Sequence, residues 1–520
     1  MADKQYLNAP DPKQTKFPKG IPFIIGNELA ERFSFYGMKG ILTVFMTQHL
    51  LDASGNAAYM NDEEAKKWYH LFTALAYTFP IIGAMLADIV LGKYRTILWI
   101  SLMYCLGHGC LAVMDIAPSL GMPMKTWLII GMLFIAVGAG AIKPCVSAHV
   151  GDQFGSGNKH MLTKVFNWFY FSINLGAASS MFLTPILLDQ VGPWLAFGLP
   201  GVLMAVATFI FWLGRTRFVH VPEAGWKKWK AETFSPEGIQ ALKWLTPLFL
   251  IFVMMFWAIF DQTGSAWVLQ AEKLNRNFAG IDWLESQIQF VNPIMILTGI
   301  PLFTYVIYPL VNKVFEFTPL RKIGVGFVFT AGAFSISALI ETWADAKAPE
   351  ISAAIWAAMG SDGQMPASLG DVVQAARDIG WDQTQLNVYM TEMPSIAWQF
   401  LAYFVMTAGE IMVSIVCLEF AYTQSPKKMK SFVMGIFFLG VAFGNYLAMG
   451  VNMYLERQIK LTGSSPLEGA KYYWFFAGAM MAITVLYVIW SQFYKGQTYI
   501  QGESAEVIEA QAEAEGTEAR

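Results

Sequence analysis

Residues 21–50 read IPFIIGNELAERFSFYGMKGILTVFMTQHL, and this stretch decides what kind of protein the chain is. At 1.5 Å per residue it is long enough to cross a hydrocarbon core of about 30 Å. Yet it carries Glu28, Glu31, Arg32 and Lys39. At 100° per residue Glu28, Arg32 and Lys39 fall within about 40° of one another, with Phe35 and Tyr36 close by and Glu31 at one side. An ionised group at mid-bilayer costs at least about 2.5–3.5 kcal/mol, so such a stripe has to face a partner helix or a wet cavity. It is either a seam of salt bridges or the lining of a polar path. Lys39 has no obvious partner within its own helix, which favours the path.

Eleven further apolar blocks follow, giving spans at 22–50, 67–91, 95–115, 125–150, 162–188, 194–214, 246–270, 286–311, 321–342, 395–424, 428–455 and 471–495. The bulk composition agrees: 55% hydrophobic, 15% aromatic, only 14% charged, with a mean hydropathy of +0.43. The chain is therefore expected to be an all-α membrane protein of two six-helix bundles. Residues 1–20 form a cytoplasmic N-terminal tail, 21–214 the first bundle, 215–245 a basic cytoplasmic linker broken by Pro222, Gly225 and Pro236, and 246–495 the second bundle. The tail 496–520, where Glu and Ala alternate, reads as acidic and disordered.

With both termini inside, about 22 Lys and Arg fall on the cytoplasmic side and about 10 outside, the asymmetry of the positive-inside rule. The segment 343–394 is then extracellular. Its stretch GDVVQAARDIG (370–380) suits a short surface helix, and the segment reads as accessory. The net charge of −3 says little about partners and gives no ground for nucleic-acid binding. Cys105, Cys110, Cys145 and Cys417 lie inside apolar blocks, without zinc-ligand spacing, and read as small core residues. No cleavable leader is evident. A compact chain of this kind suits a bacterial inner membrane, and it is expected to work as a monomer.

Three more spans each carry an isolated ionisable residue: Lys143 before Pro144, Asp261 in FWAIFDQTGS, and Glu410 in MTAGEIMVSIV. Pro144 lacks an amide hydrogen and is expected to loosen the turn beside the lysine. Cations then sit in the first bundle and anions in the second. A cavity between them suits a zwitterion, with its carboxylate toward Lys39 and Lys143 and its ammonium toward Glu410. Lys143 and Glu410 would equally pair with each other, and a pair that forms in one state and opens in another is a gate.

His70 opens the second span, with Tyr77 on the same face, and its ordinary titration range makes it a proton acceptor. His49, His108 and His149 read as ordinary satisfied residues. Tyr170 and Asn174 share a face of the fifth span and Asn292 interrupts the eighth; these bind polar ligand groups or simply join helices. There is no HExxH, no nucleophile–base pair and no metal-ligand cluster, so neither an enzyme nor a metal site is expected.

LADIVLGKYRT places Asp88, Gly92, Lys93 and Arg95 in a tight turn that resembles the signature loop of the major facilitator superfamily. NELAERFSFYG, FYFSINLGA, AGAIKPCVSAHVGDQF, FWAIFDQTGS, TAGEIMVSIVCLEF and WYHLFTALAY together resemble the proton-dependent oligopeptide transporter family within that superfamily. They are especially similar to the intestinal and renal peptide transporters of animals. The resemblance covers 21–494 and implies the major facilitator fold with twelve transmembrane helices, and proton-coupled import of di- and tripeptides by alternating access. Protons are then the coupling ion and no other cofactor is needed.

By the same resemblance Glu28, Glu31, Arg32, His70, Asp261 and Glu410 handle protons. Lys143 and Glu410 hold the peptide termini and form one salt-bridge gate, and Lys39 with Asp261 forms another. Tyr36, Tyr77, Tyr170, Asn174, Trp257, Asn292 and Ser414 fall on pocket-lining positions. Phe35 and Lys39 replace a common tyrosine and arginine, and Phe437 a common tryptophan. Neither an extra helix pair between the bundles nor a large external domain is expected. Nitrate or another small anion is the alternative substrate, although relatives of that kind often lack the fourth-helix lysine. A non-transporting sensor is the alternative from another class.

Overall fold

Caps and prolines mark where the helices begin. Asn61 accepts the amide of Glu64, and Asp62, Glu63 and Glu64 fill the first turn of the second helix, where a carboxylate meets the positive end of the dipole. Pro193, Pro236 and Pro319 occupy first-turn positions, which cost no hydrogen bond; Ser235 and Thr318 cap the latter two. In a computed structural model that describes residues 6–495, apart from 12, 224, 362, 367 and 425–429, these signals produce long helices and a single two-residue hairpin. The stretch 496–520, expected to be a disordered tail, lies outside the described residues.

The first bundle comprises α1 (Ile21–Gln48), α2 (Asp62–Leu91), α3 (Lys93–Ala112), α4 (Met124–Asp152), α5 (Leu162–Gln190) and α6 (Pro193–Leu213). The second comprises α7 (Pro236–Glu272), α8 (Gln287–Asn312), α9 (Pro319–Ala358), α10 (Ala397–Ala421), α11 (Lys430–Thr462) and α12 (Ala470–Ser491). Ten of these are long and apolar enough to cross a membrane by composition alone. The other two, α1 and α3, are weighted by the charged stripe and by Lys93, Arg95 and His108.

Each bundle has its own apolar core. Phe35, Phe45, Tyr104 and Phe197 anchor the first, and Phe249, Trp267, Phe334 and Tyr487 the second. The outward faces display Trp99, Leu106, Val202, Phe209, Val485 and Ile489, a surface suited to hydrocarbon rather than water. Across the divide α2 runs against α11 and α5 against α8. Glycine decides the close approaches: a Cβ on Gly83 would overlap the Ala141 carbonyl of α4, and one on Gly264 would overlap the Tyr69 hydroxyl.

Several elements depart from the sequence expectation. Pro236 starts α7 instead of breaking the chain, so that helix begins ten residues early. Ahead of it the linker holds, among the described residues, a 3₁₀ turn at Gly214–Thr216 and the eight-residue helix Trp226–Thr233, both too short to cross a bilayer. Pro144 leaves α4 helical throughout. The loosened turns fall elsewhere: π-turns follow Pro247 and Pro301, another spans Ile411–Ile415, and a 3₁₀ turn spans Asp261–Gly264. Wide and tight turns inside a helix re-aim the side chains beside them. Here they flank Glu410 and contain Asp261.

Gly92, at φ +74°, makes the α2–α3 turn, and Lys93 pairs with Asp152 of α4 at 2.8 Å. Cys105 and Cys110 are only partly buried, unlike Cys145 and Cys417. The 343–394 stretch continues α9 and adds helices Leu369–Asp378 and Gln383–Met390. The end of the molecule that carries this segment is here called the segment face, and the opposite end the linker face.

Candidate functional site

The α1 stripe exists as drawn from its spacing. One guanidinium nitrogen, Arg32 Nε, lies 2.7 Å from Glu28 and 3.1 Å from Glu31, all three side chains being buried or nearly so. About two turns beyond Arg32, Lys39 Nζ crosses to the second bundle and donates to Asp261 Oδ1 at 2.6 Å. The 3₁₀ turn at Asp261–Gly264 turns that carboxylate toward α1, and Thr43 donates to the Gly264 carbonyl one turn above it.

Asp261 is the hub of a longer chain of contacts. Its second oxygen accepts from Asn445 Nδ2 of α11 at 2.7 Å, and Asn445 Oδ1 lies 2.8 Å from His70 Nδ1. His70 Nε2 lies 3.0 Å from the Ser265 hydroxyl. An amide that donates to a carboxylate must present its oxygen to the ring, so Nδ1 carries a proton. Neutral His70 then accepts from Ser265 at Nε2, and protonated His70 donates to it. Ser265, His70, Asn445, Asp261 and Lys39 thus form one continuous hydrogen-bonded file across both bundles.

Asn445 was not among the sequence candidates. The signal was present, an asparagine in the apolar run GVAFGNYLAMG, the same signal that marked Asn292. Replacing Asn445 by leucine is expected to leave His70 and Asp261 without their shared partner, at about 1–3 kcal/mol for each unsatisfied group. That loss should appear as a lower midpoint of thermal unfolding, and an unchanged midpoint would show that the file contributes nothing to the fold.

Beneath this file lies a cavity of about 200 Å³ between the bundles. Tyr36, Lys39, Tyr77, Tyr170, Asn174, Trp257, Asp261, Asn292, Glu410 and Ser414 all line it, so nearly every pocket position expected from the sequence converges. Glu410 accepts from Asn292 Nδ2 at 2.7 Å, and the π-turn that follows it carries Ser414. Trp257 stacks edge-on against Phe437, which supports the pocket wall from α11. Tyr69, Phe260, Gln289 and Tyr403 also contribute to the lining and are not among the residues expected from the sequence.

Lys143 is the exception. It is absent from the cavity lining and makes no ion pair with Glu410. Its ammonium is buried, without a hydrogen-bond partner, 3.8 Å from the Phe35 ring centroid and 4.2 Å from that of Tyr77. Two aromatic faces offset about 2 kcal/mol or more each when desolvated, against several kcal/mol for burying an unpaired ion. The expected Lys143–Glu410 pair is therefore open in this structure, and the lysine is held off the cavity by rings. Of the histidines expected to be satisfied, His49 stacks on Phe45, whereas His108 and His149 are buried among aromatic rings. Both ring nitrogens of His108 and Nε2 of His149 lack a hydrogen-bond partner among the described residues.

The segment face is closed by further contacts between the halves. Lys67 pairs with Glu456 at 2.5 Å, Gln289 donates to the Gly40 carbonyl, and Gln48 donates to Glu272 and Glu285. The cavity thus ends against a layer of contacts from Lys39 to Gln48, about two and a half turns of α1 deep.

Comparison with known proteins places this geometry. A family model described as the POT family matches residues 94–235 and 226–475. "Peptide transporter family 1" of Drosophila melanogaster is 38% identical over 363 residues, 62% of this chain and 48% of that protein. "Solute carrier family 15 member 2" of Homo sapiens is 36% identical over 380 residues, 64% of this chain and 50% of that protein. The chain thus spans about half the length of the curated relatives it matches. Among solved structures, an auto-inhibited POT family peptide transporter superposes with a TM-score of 0.74 at 30% identity. That match covers 94% of this chain and 99% of the other. The POT family transporter PepTSo does so with a TM-score of 0.71 at 29% identity, covering 92% and 99%.

Proposed function

The chain belongs to the POT family, and from that premise we propose that it is a proton-coupled symporter that imports di- and tripeptides by alternating access. The observation that carries the reading is the cavity between the bundles: a carboxylate, Glu410, on one wall and the buried, unpartnered ammonium of Lys143 behind the other. A zwitterionic peptide satisfies both. Its amino group replaces a proton at Glu410, and its carboxylate draws Lys143 from between Phe35 and Tyr77. Asn292, Asn174 and the tyrosines Tyr36, Tyr77 and Tyr170 supply hydrogen bonds to a peptide backbone while leaving room for varied side chains.

The proton path begins at the segment face, which on the distribution of Lys and Arg is the outside. A proton on His70 turns Nε2 into a donor and sets a positive charge one amide away from Asp261. A proton taken up by Asp261 itself neutralises the partner of Lys39 and loosens the buried pair that closes this face. Glu28 and Glu31, held together by Arg32, continue the relay toward the linker face. A sealed segment face together with an open Lys143–Glu410 pair is the combination expected of a carrier whose outer gate is shut. The resident membrane is then the cell's inner membrane, with both termini cytoplasmic, the partners are short peptides and lipid, and the working unit is one chain.

Uptake of labelled dialanine into proteoliposomes, with and without an inward proton gradient, tests the reading. Gradient-dependent accumulation competed by tripeptide and not by nitrate is expected. Folded protein that takes up no peptide would overturn it in favour of a small-anion carrier or a sensor.

A further inference from the structure

The segment between α9 and α10 is anchored on the second bundle and reaches the first through Arg377. Its helices bury Val372, Val373, Ala376, Leu386 and Met390 against Ile351 and Ile355 of α9 and Leu274 beyond α7, an apolar cluster separate from both bundle cores. The helix Leu369–Asp378 turns Leu369, Val372, Val373 and Ala376 inward, and Arg377 sits at the edge of that buried face. There Arg377 Nη1 donates to the side-chain oxygen of Gln48 at 2.8 Å and lies 3.7 Å from Glu285.

Gln48 is the last residue of α1. Its amide nitrogen donates to Glu272 at 2.8 Å and Glu285 at 3.0 Å, and its oxygen accepts from Arg377. Every one of these bonds runs from the first bundle to the other half of the molecule. Two carboxylates facing one neutral amide would repel each other; Arg377, with Arg276 on Glu285, balances them. The segment therefore completes the outermost layer of the closed face, above Thr43–Gly264 and Lys39–Asp261.

Resting on the alternating-access reading, we propose that Arg377 is a gate residue: the 343–394 segment is a working part of the outer gate, and its bond to Gln48 must break each time the bundles part on that face. The segment is not accessory. Arg377 touches no part of the substrate cavity, so it acts by positioning the end of α1.

A reporter at the buried Thr43 reads the gate directly. Thr43→Cys protein in proteoliposomes is treated with a membrane-impermeant methanethiosulfonate, and modification at that site is followed by mass spectrometry. Arg377→Ala and Gln48→Leu are each expected to speed modification about fivefold or more, with the double variant no faster than the faster single one. Arg377→Lys should restore part of the wild-type rate. Glu392→Ala, which removes an exposed pairing with Lys347 on the same segment, should leave it unchanged. An unchanged rate in folded Arg377→Ala and Gln48→Leu, or fully additive effects in the double variant, would overturn the proposal. Failure of the transport reading looks different: peptide uptake is absent in every variant, while the modification rate still responds to Arg377→Ala and so upholds the latch.

Discussion

Glu410→Gln is expected to abolish proton-driven accumulation of peptide. The substitution is isosteric, and the glutamine oxygen still accepts from Asn292, whose amide now bonds Glu410 at 2.7 Å. Packing and the cavity wall therefore survive, but the side chain no longer ionises or takes a proton. A peptide's amino group loses its counter-charge in a site largely shielded from water, where truncating one partner of a charge pair costs about 2–5 kcal/mol. Peptide affinity should drop roughly 30-fold or more. Coupling should fail as well, because binding no longer changes the protonation of the site. Dialanine uptake driven by a proton gradient, alongside equilibrium binding to the same preparation, checks this. Wild-type accumulation by the variant would remove Glu410 from the mechanism.

Asp261→Asn is the second change with a large expected effect, and it acts on the gate instead of the substrate. Lys39 and Asp261 meet at 2.6 Å with side chains only 8% and 6% exposed. Taking the charge from Asp261 strands a buried ammonium, which costs about 3–5 kcal/mol while the segment face stays shut. Opening that face to water relieves the cost, so the balance between closed and open should move by more than 100-fold toward open. The Thr43→Cys reporter should react far faster than in any Arg377 variant, since the inner pair is buried and the outer bond is partly exposed. Proton-driven uptake should fall because the outer gate no longer closes behind the substrate. A modification rate equal to that of the parent protein would show that the pair is structural glue and not a gate.

Much of the arrangement was legible before any coordinate. Four charges in α1 with a 3.6-residue period announced a polar face, and an isolated Lys143, Asp261 and Glu410 in apolar runs could only belong to protein-lined interior. Tyr36, Tyr77, Tyr170, Asn174, Trp257, Asn292 and Ser414 were reached through resemblance to a transporter family, and they do surround one cavity. Asn445 carries the same mark as Asn292, an amide in an apolar run, but only its partner His70, 375 residues away, gives that mark a meaning. Lys143 was assigned a partner on charge alone, whereas the rings of Phe35 and Tyr77 hold it elsewhere.

The sequence by itself thus determined that the chain spans a membrane many times, where most helices lie, and which faces are polar. Hydropathy and helical period are local quantities, summed over twenty residues or fewer, and they survive without knowledge of any neighbour. Only the tertiary structure decided which polar faces meet. It joined His70 to Asp261 through Asn445, left Lys143 and Glu410 apart, and brought Arg377 across to Gln48. Those outcomes depend on how helices hundreds of residues apart are tilted and packed, and at hydrogen-bond range a shift of one ångström separates a partner from a bystander.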